Sequence, residues 1–184
     1  TELHLINRPT KFIKEGFDCG IMVGAATDRR MTIRKIAQLQ RRLVAAPSLL
    51  KDHALPARPD DLKLLPWLGI LQPHFYSRDR VDLERAKQRQ KLKLLPAMLL
   101  DTVTALREAA IEGAGFTILP EWMAARDIKA GRLVQLLPDW HLAPIDLQIT
   151  HAAHEHLPQR VKSLIEFLEQ ELPIEIHRLD LNER

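Results

Sequence analysis

The chain contains one cysteine, Cys19, so no disulfide can form within it and a reducing compartment is expected. Cys19 sits in the apolar run Cys19–Val23, where a buried and inert thiol is expected rather than a reactive one. No apolar run approaches the roughly 20 residues of a membrane span, and no signal-peptide pattern opens the chain. A surplus of one charge is also lacking. The net charge is +3, with acids interspersed along most of the chain, so the pI of 9.2 does not argue for nucleic acid. Nucleophile and zincin motifs are absent: there is no G-x-S-x-G, no H-E-x-x-H and no S-x-x-K in an informative context. Internal repeats and low-complexity segments are absent too. The first residue is Thr, and the chain begins directly in a strand-like alternation, as a fragment would.

What is present is an ordinary globular composition, 46% hydrophobic and 28% charged, over 184 residues. That length holds one large domain or two small lobes. The most informative stretch is Asp101 to Pro120. Asp101 and Thr102 are both capping residues, and Val103, Leu106 and Ala110 then form one helical stripe. Gly113 and Gly115 end that helix, and Phe116 to Leu119 is an apolar run bounded by Gly115 and Pro120, as in a strand buried on both faces. In open α/β sheets a ligand commonly sits where a strand feeds a helix N-terminus, which makes Leu100 to Thr104 the leading candidate site.

Elsewhere the pattern alternates strands and helices, which predicts an α/β fold. Leu3, Leu5 and Ile6 suggest a strand ending at Asn7-Arg8-Pro9. Pro9 then begins a helix with the stripe Phe12, Ile13 and Phe17 and a stop at Gly16. Cys19–Val23 is a second strand closed by Gly24, giving a β-α-β unit with a right-handed crossover. Thr32 to Ala46 mixes helical and strand-like character, and Leu43 to Ala46 reads as a strand leading to a short helix, Ser48 to His53. Leu55 to Asp61 is expected to be a surface connection, Leu64 to Leu71 a strand, and Gln72 to Asp82 has no usable period. Leu92 to Leu95 is expected to be the strand that enters the loop at Leu100. Glu121 to Lys129 is a helix stopped by Gly131, Leu133 to Leu137 a strand, Pro138-Asp139-Trp140 a turn, and Ile145 to Thr150 a half-buried strand. Pro158 to Leu172 is a helix whose stripe is Val161, Leu164, Ile165, Leu168 and Leu172, with Pro173 after its end. Ile174 to Arg184 reads as a polar tail.

Each cluster that invites chemistry has a plainer reading. His151, His154 and His156, beside Glu155, match no zinc spacing and are expected to form a solvated turn, so no metal is assigned. Arg85, Lys87, Arg89, Lys91 and Lys93 alternate, and would share a face if extended. Without interleaved aromatics they read as a solvent face rather than a nucleic-acid groove. Gly113-Ala114-Gly115 follows a helix instead of preceding one, which excludes a dinucleotide fingerprint. Asp18, Asp101, Asp139 and Asp146 are the acids that a catalytic pair would draw on, and Asp101 reads as a cap. No catalytic residue and no cofactor are assigned.

Several segments, in order and spacing, resemble the effector-binding domain of LysR-type transcriptional regulators. They are INRPTKFIKEGFDCGIMVG (Ile6 to Gly24), RRLVAAPSLL (Arg41 to Leu50), ALREAAIEGAGFTILPEWMA (Ala105 to Ala124), AGRLVQLLPDW (Ala130 to Trp140) and HLPQRVKSLIEFLEQEL (His156 to Leu172). The resemblance implies a bilobed, periplasmic-binding-protein-like (type 2) α/β fold, with two Rossmann-like lobes joined by two crossover strands. The crossovers would lie near Arg42 to Ala46 and Ile145 to Thr150. Residues 1–43 and 146–172 would form the first lobe, 44–145 the second, and 173–184 a C-terminal tail. A small-molecule effector, a carboxylate or an amino acid, would bind between the lobes.

Carried over by position, the effector-binding residues would be Asn7, Arg8, Val23, Gly24, Asp101, Thr102, Val103, Phe116 and Thr117. The family's N-terminal winged helix-turn-helix is missing from this chain, as are the first strand and helix of the first lobe. DNA would therefore be reached only through a segment outside it. The resemblance further implies a cytoplasmic homodimer, tetrameric in the full-length protein, with no membrane partner and no enzymatic activity. The alternatives are a solute-binding protein of a transport system on the same fold, and an enzyme on that scaffold with convergent titratable residues.

Overall fold

The computed structural model describes residues 2–6, 10, 12–24, 30–51, 53–71, 78–152 and 157–181. In order, the chain forms α1 (Phe12–Glu15), β1 (Cys19–Val23), β2 (Met31–Leu39), β3 (Arg41–Ala45), β4 (Trp67–Ile70), β5 (Arg80–Arg85) and β6 (Gln88–Lys93). There follow β7 (Pro96–Leu100), α2 (Val103–Ile111), β8 (Thr117–Pro120), α3 (Glu121–Lys129), β9 (Val134–Gln135), β10 (His141–Leu142), β11 (Ile145–Ala152) and α4 (Gln159–Leu181). The chain divides into two compact units, Thr1–Leu39 with Ile145–Asn182, and Gln40–Pro144.

In the first unit β11 lies between β1 and β2 and runs antiparallel to both. Its register sets Cys19 against His151 on one side and Met31 against Ala152 on the other. Ile149 projects from this central strand onto α4, where it is enclosed with Val161 and Ile165, and Cys19, Ile36, Leu157 and Leu168 pack around them. Each of these aliphatic side chains contributes about 2 kcal/mol when removed from water. Burial, then the neighbouring Asp18 charge, pushes the Cys19 thiol above its ordinary pKa, so at neutral pH it is protonated.

Three expectations for this unit are corrected. Residues 2–6 form no strand, and Leu3 and Leu5 are 82% and 89% exposed, so alternation alone did not recruit a pairing partner. The β-α-β unit is consequently absent among the described residues, and β1 pairs antiparallel with a strand from far along the chain. At the other end α4 continues through Pro173 to Leu181. A proline removes one backbone donor and crowds the preceding turn, but it did not stop a helix already anchored on Val161 and Ile165. Gly16 ends α1 with φ +74°, a conformation that glycine adopts at little cost. Pro9, expected to start that helix, lies outside the described residues.

The second unit is built on β3, whose Leu43, Val44 and Ala45 are buried, with β8 and β9 antiparallel on either side. β4 and β7 run parallel to each other, and a bridge between Trp67 and Phe116 joins them to the approach of β8. Two hydrogen bonds make that bridge, Leu68 N–H to Phe116 O and Phe116 N–H to Pro66 O, both 2.9 Å. The strands lie so close there that a Cβ on Gly115 would stand 2.5 Å from the Pro66 carbonyl oxygen. The Trp67 and Phe116 rings meet at 5.0 Å, tilted by 51°. Leu62, Leu68, Leu106, Leu119, Leu133 and Leu136 complete the core.

The remaining sheet is the hairpin β5–β6 with β10 alongside. Leu92 therefore belongs to a hairpin, and the strand that enters the loop at Leu100 is β7. The hairpin turn was hidden because Ala86 supplies the positive φ, 51°, where glycine or asparagine would have signalled it. Only Val134–Gln135 of the Leu133–Leu137 run is paired. Residues 55–58 connect at the surface with Leu55 65% exposed, but Pro56 and Pro59 are buried and Pro59–Leu64 forms a 3-10 helix.

Candidate functional site

The loop at Leu100 to Thr104 is shaped by the elements on both its sides. β7 ends at Leu100, whose carbonyl accepts from Leu71 N–H at 2.7 Å. Thr102 then takes an extended conformation, φ −127° and ψ 150°, and its Oγ1 accepts from the Ala105 N–H at 3.0 Å. Its carbonyl accepts the first helical bond, from Leu106 N–H at 3.1 Å. Thr102 and not Asp101 is thus the N-cap of α2, and of the expected stripe Leu106 and Ala110 are enclosed while Val103 is not. Helix geometry leaves the amides of Val103 and Thr104 without intrahelical acceptors, and they share the partial positive charge of this helix end. Asp101 is exposed beside them, and Val103 is half-buried. One short loop therefore holds amide donors, a hydroxyl and a carboxylate.

Behind the loop, Phe116 and Thr117 belong to the enclosed interior of the same unit. Phe116 is fully buried against Trp67, and the Thr117 hydroxyl donates to the Leu68 carbonyl at 3.0 Å. They set where β4 lies, and β4 in turn pairs with β7.

In the first unit, Val23 and Gly24 end β1. Gly24 has φ +90°, and its N–H donates to the Asp146 carbonyl at 2.8 Å, fixing this corner to the start of β11. The Asp146 carboxylate accepts from Lys35 Nζ at 2.7 Å and Gln38 Nε2 at 3.0 Å, and these bonds lower its pKa. Asn7 and Arg8 lie outside the described residues.

The acids with displaced pKa values all move downward. Asp60 is held low by hydrogen bonds from Lys63 and Gln90, and Asp61 by the backbone amides of Arg58 and Ala57. At Asp127 burial acts to raise the pKa, and hydrogen bonds from Arg107 and Arg132 more than reverse it. Carboxylates fixed in the charged form are poor proton donors at neutral pH, and this is the pattern of ion-pair networks rather than of acid–base chemistry. Sequence reasoning missed the Asp127 cluster, because Arg107 and Asp127 stand twenty residues apart with no motif between them.

The other sequence candidates resolve plainly. His154, His156 and Glu155 lie outside the described residues, and His151 Nδ1 stands 2.9 Å from the Ala152 carbonyl oxygen. No metal-binding group forms among the described residues. Of the basic alternation, Arg89 and Lys91 face Glu84 and Asp82 across the hairpin, with Arg89 Nε 3.1 Å from Glu84 Oε1, so acids offset that face. Among the described residues no helix is long and apolar enough to cross a membrane.

The LysR substrate binding domain family matches residues 2–173 of this chain. The HTH-type transcriptional regulator PtxR of Pseudomonas aeruginosa is 28% identical over 174 residues, covering 93% of this chain and 54% of that protein. DmlR of Escherichia coli, also an HTH-type transcriptional regulator, is 23% identical over 164 residues, covering 89% and 53%. The chain thus spans about half the length of the curated relatives it matches. The full-length Vibrio cholerae virulence activator AphB, a member of the LTTR family, superposes with a TM-score of 0.72 at 26% identity, over 84% of this chain and 52% of that one. The regulatory domain of CrgA, a LysR-type regulator from Neisseria meningitidis, gives a TM-score of 0.73 over 87% and 78%, and at 22% identity this likeness is one of fold.

Proposed function

Because the chain belongs to the LysR substrate binding domain family, with its type 2 periplasmic-binding-like α/β fold, we propose that it is the effector-sensing domain of a LysR-type DNA-binding transcriptional regulator. The observation that carries this reading is the family match over residues 2–173. The relatives named above are regulators, which supports sensing over solute transport or catalysis.

In this reading a small effector binds between two lobes. Asp101, Thr102 and Val103 supply its polar contacts from one side, and Asn7, Arg8, Val23 and Gly24 supply them from the other. Phe116 and Thr117, both enclosed in the same unit, support the loop from behind by setting where β4 lies rather than by touching the effector. A carboxylate or an amino acid suits the set. The open amides of Val103 and Thr104 attract an anionic group, while Asp101 and Arg8 are of a sign to hold an ammonium and a carboxylate. The effector favours one lobe arrangement, and the resulting population shift rearranges a cytoplasmic homodimer, tetrameric in the longer protein. DNA is contacted by a winged helix-turn-helix outside this chain.

A thermal-shift screen against small carboxylates, amino acids and aromatic acids tests the reading, since a ligand of the native state alone raises the midpoint by mass action. The expected result is a hit that Thr102→Val abolishes and Thr102→Ser retains. A hit indifferent to Thr102→Val overturns the site.

A further inference from the structure

We propose that the outer face of α4 docks a second copy of this chain, the two helices packing antiparallel along a seam of Arg160, Leu164, Phe167 and Glu171. The inner face of α4 holds Val161, Ile165 and Leu168 against the sheet of the first unit. The outer face carries Arg160, Leu164, Phe167, Glu171, Ile174 and Arg178, all of them exposed. Their spacing along the sequence is 4, 3, 4, 3 and 4, the repeat by which one helix packs along another. Nothing in the fold of a single copy uses that repeat. Leu164, Phe167 and Ile174 leave 37%, 57% and 59% of their surface to water.

Charge decides what covers this face and in which direction. Arg178 already has Glu175, at 3.1 Å, whereas Arg160 and Glu171 have no ion-pair partner among the described residues. In a parallel pair each residue would face its own copy, setting Arg160 on Arg160 and Glu171 on Glu171. An antiparallel pair about a two-fold axis between Ile165 and Glu166 does the opposite. Arg160 of one copy then meets Glu171 of the other, and Leu164 meets Phe167. Symmetry repeats both relations, so two apolar layers are closed at each end by an ion pair.

The other registers fail on the same charges. Sliding one helix by a heptad sets Arg160 against Arg178 and Phe167 against Glu171. A second heptad sets Glu171 against Ile174. Ser163 and Gln170, which flank the seam on the side away from the core, carry no charge to oppose the first register. A lipid surface suits the face less well, because Glu171 interrupts its apolar stripe.

This contact does not rest on the effector reading: none of its residues belongs to the candidate site, and it is read out without a ligand. The seam is short beside a standard interface of roughly 1,200–2,000 Å², so a weak dimer is expected, with a dissociation constant of about 0.1 mM. Sedimentation equilibrium of the whole chain, from about 10 µM to about 1 mM, is the test. Arg160→Glu and Glu171→Arg should each weaken the dimer at least about tenfold, since each sets like charges face to face at both ends. The double reversal should restore it to within about threefold of the parent. Phe167→Ser should weaken it at least about tenfold, with circular dichroism confirming that the helix is intact. A monomer throughout the range, a dimer indifferent to Phe167→Ser and Arg160→Glu, or a double variant no tighter than the single ones would each overturn the proposal.

Discussion

Arg107 on α2 grips Asp127 on α3 with two parallel bonds, Nε to Oδ2 at 2.6 Å and Nη2 to Oδ1 at 2.7 Å. Arg132, just past the turn at Gly131, joins the same carboxylate through Nε at 3.0 Å. The Asp127 side chain is fully enclosed, and one acid thereby ties two helices and the chain leading to β9. Removing it by Asp127→Ala leaves the half-buried Arg107 guanidinium with only the exposed Glu108 carboxylate. The expected loss is about 3 kcal/mol, at the lower end for breaking a buried pair because Arg132 reaches solvent. Urea unfolding measures it, and a loss below about 1 kcal/mol would show that water replaces the bonds.

The same cluster gives stability a pH dependence. The folded-state pKa of Asp127 lies below its ordinary 3.8, so its contribution is complete well above that value and fades as pH falls through the folded value. The chain should lose stability from about pH 4 downward, and Asp127→Asn should flatten that acid limb. Unfolding midpoints from neutral pH to about 3 check this. Parallel curves for the two proteins would assign the acid loss elsewhere. Asp60, Asp61 and Asp146 move in the same direction but are solvated, and contribute little.

Thr102 has a capping role apart from any ligand. Thr102→Val keeps the shape but loses the acceptor for Ala105 N–H, and should cost about 1 kcal/mol. Thr102→Ser should cost a few tenths at most, since serine caps as well as threonine. Thermal denaturation without ligand separates the two. Equal stability of Thr102→Val and the parent would remove Thr102 from the cap.

Pro173 lies inside α4 and leaves the Glu169 carbonyl without its helical donor. Pro173→Ala should restore that bond and slow amide exchange along Ile174–Leu179, where the helix has few buried side chains. Unchanged exchange would mean that these residues are held by contacts other than helix continuity.

Local chemistry was legible wherever it decided the structure. The Thr102 cap, the Gly131 stop after Lys129 and the strand Cys19–Val23 all follow from residues that act within one turn or one run. What was hidden depends on partners far along the chain. Leu3 and Leu5 alternate as a strand should, yet a strand exists only when another pairs with it. Leu92 could not be assigned to a hairpin while Ala86 masked the turn, and Pro173 read as a terminus because packing at Val161 and Ile165 is invisible to a local rule. At the candidate site, sequence placed the cap and the loop correctly. It could not show that the Phe116 ring is spent on Trp67.

The central position of β11 has a consequence for how the chain is made. Synthesis delivers β1 and β2 early, but the strand that joins them begins only at Ile145. The second unit, Gln40–Pro144, is continuous and can fold as it leaves the ribosome. The first unit must wait, its two strands open at the edges facing the absent β11 until the chain past Ile145 has been made. Translation therefore reverses the numerical order, finishing the second unit before the first, and a ribosome stalled before Ile145 would hold an unpaired pair of strands exposed to aggregation.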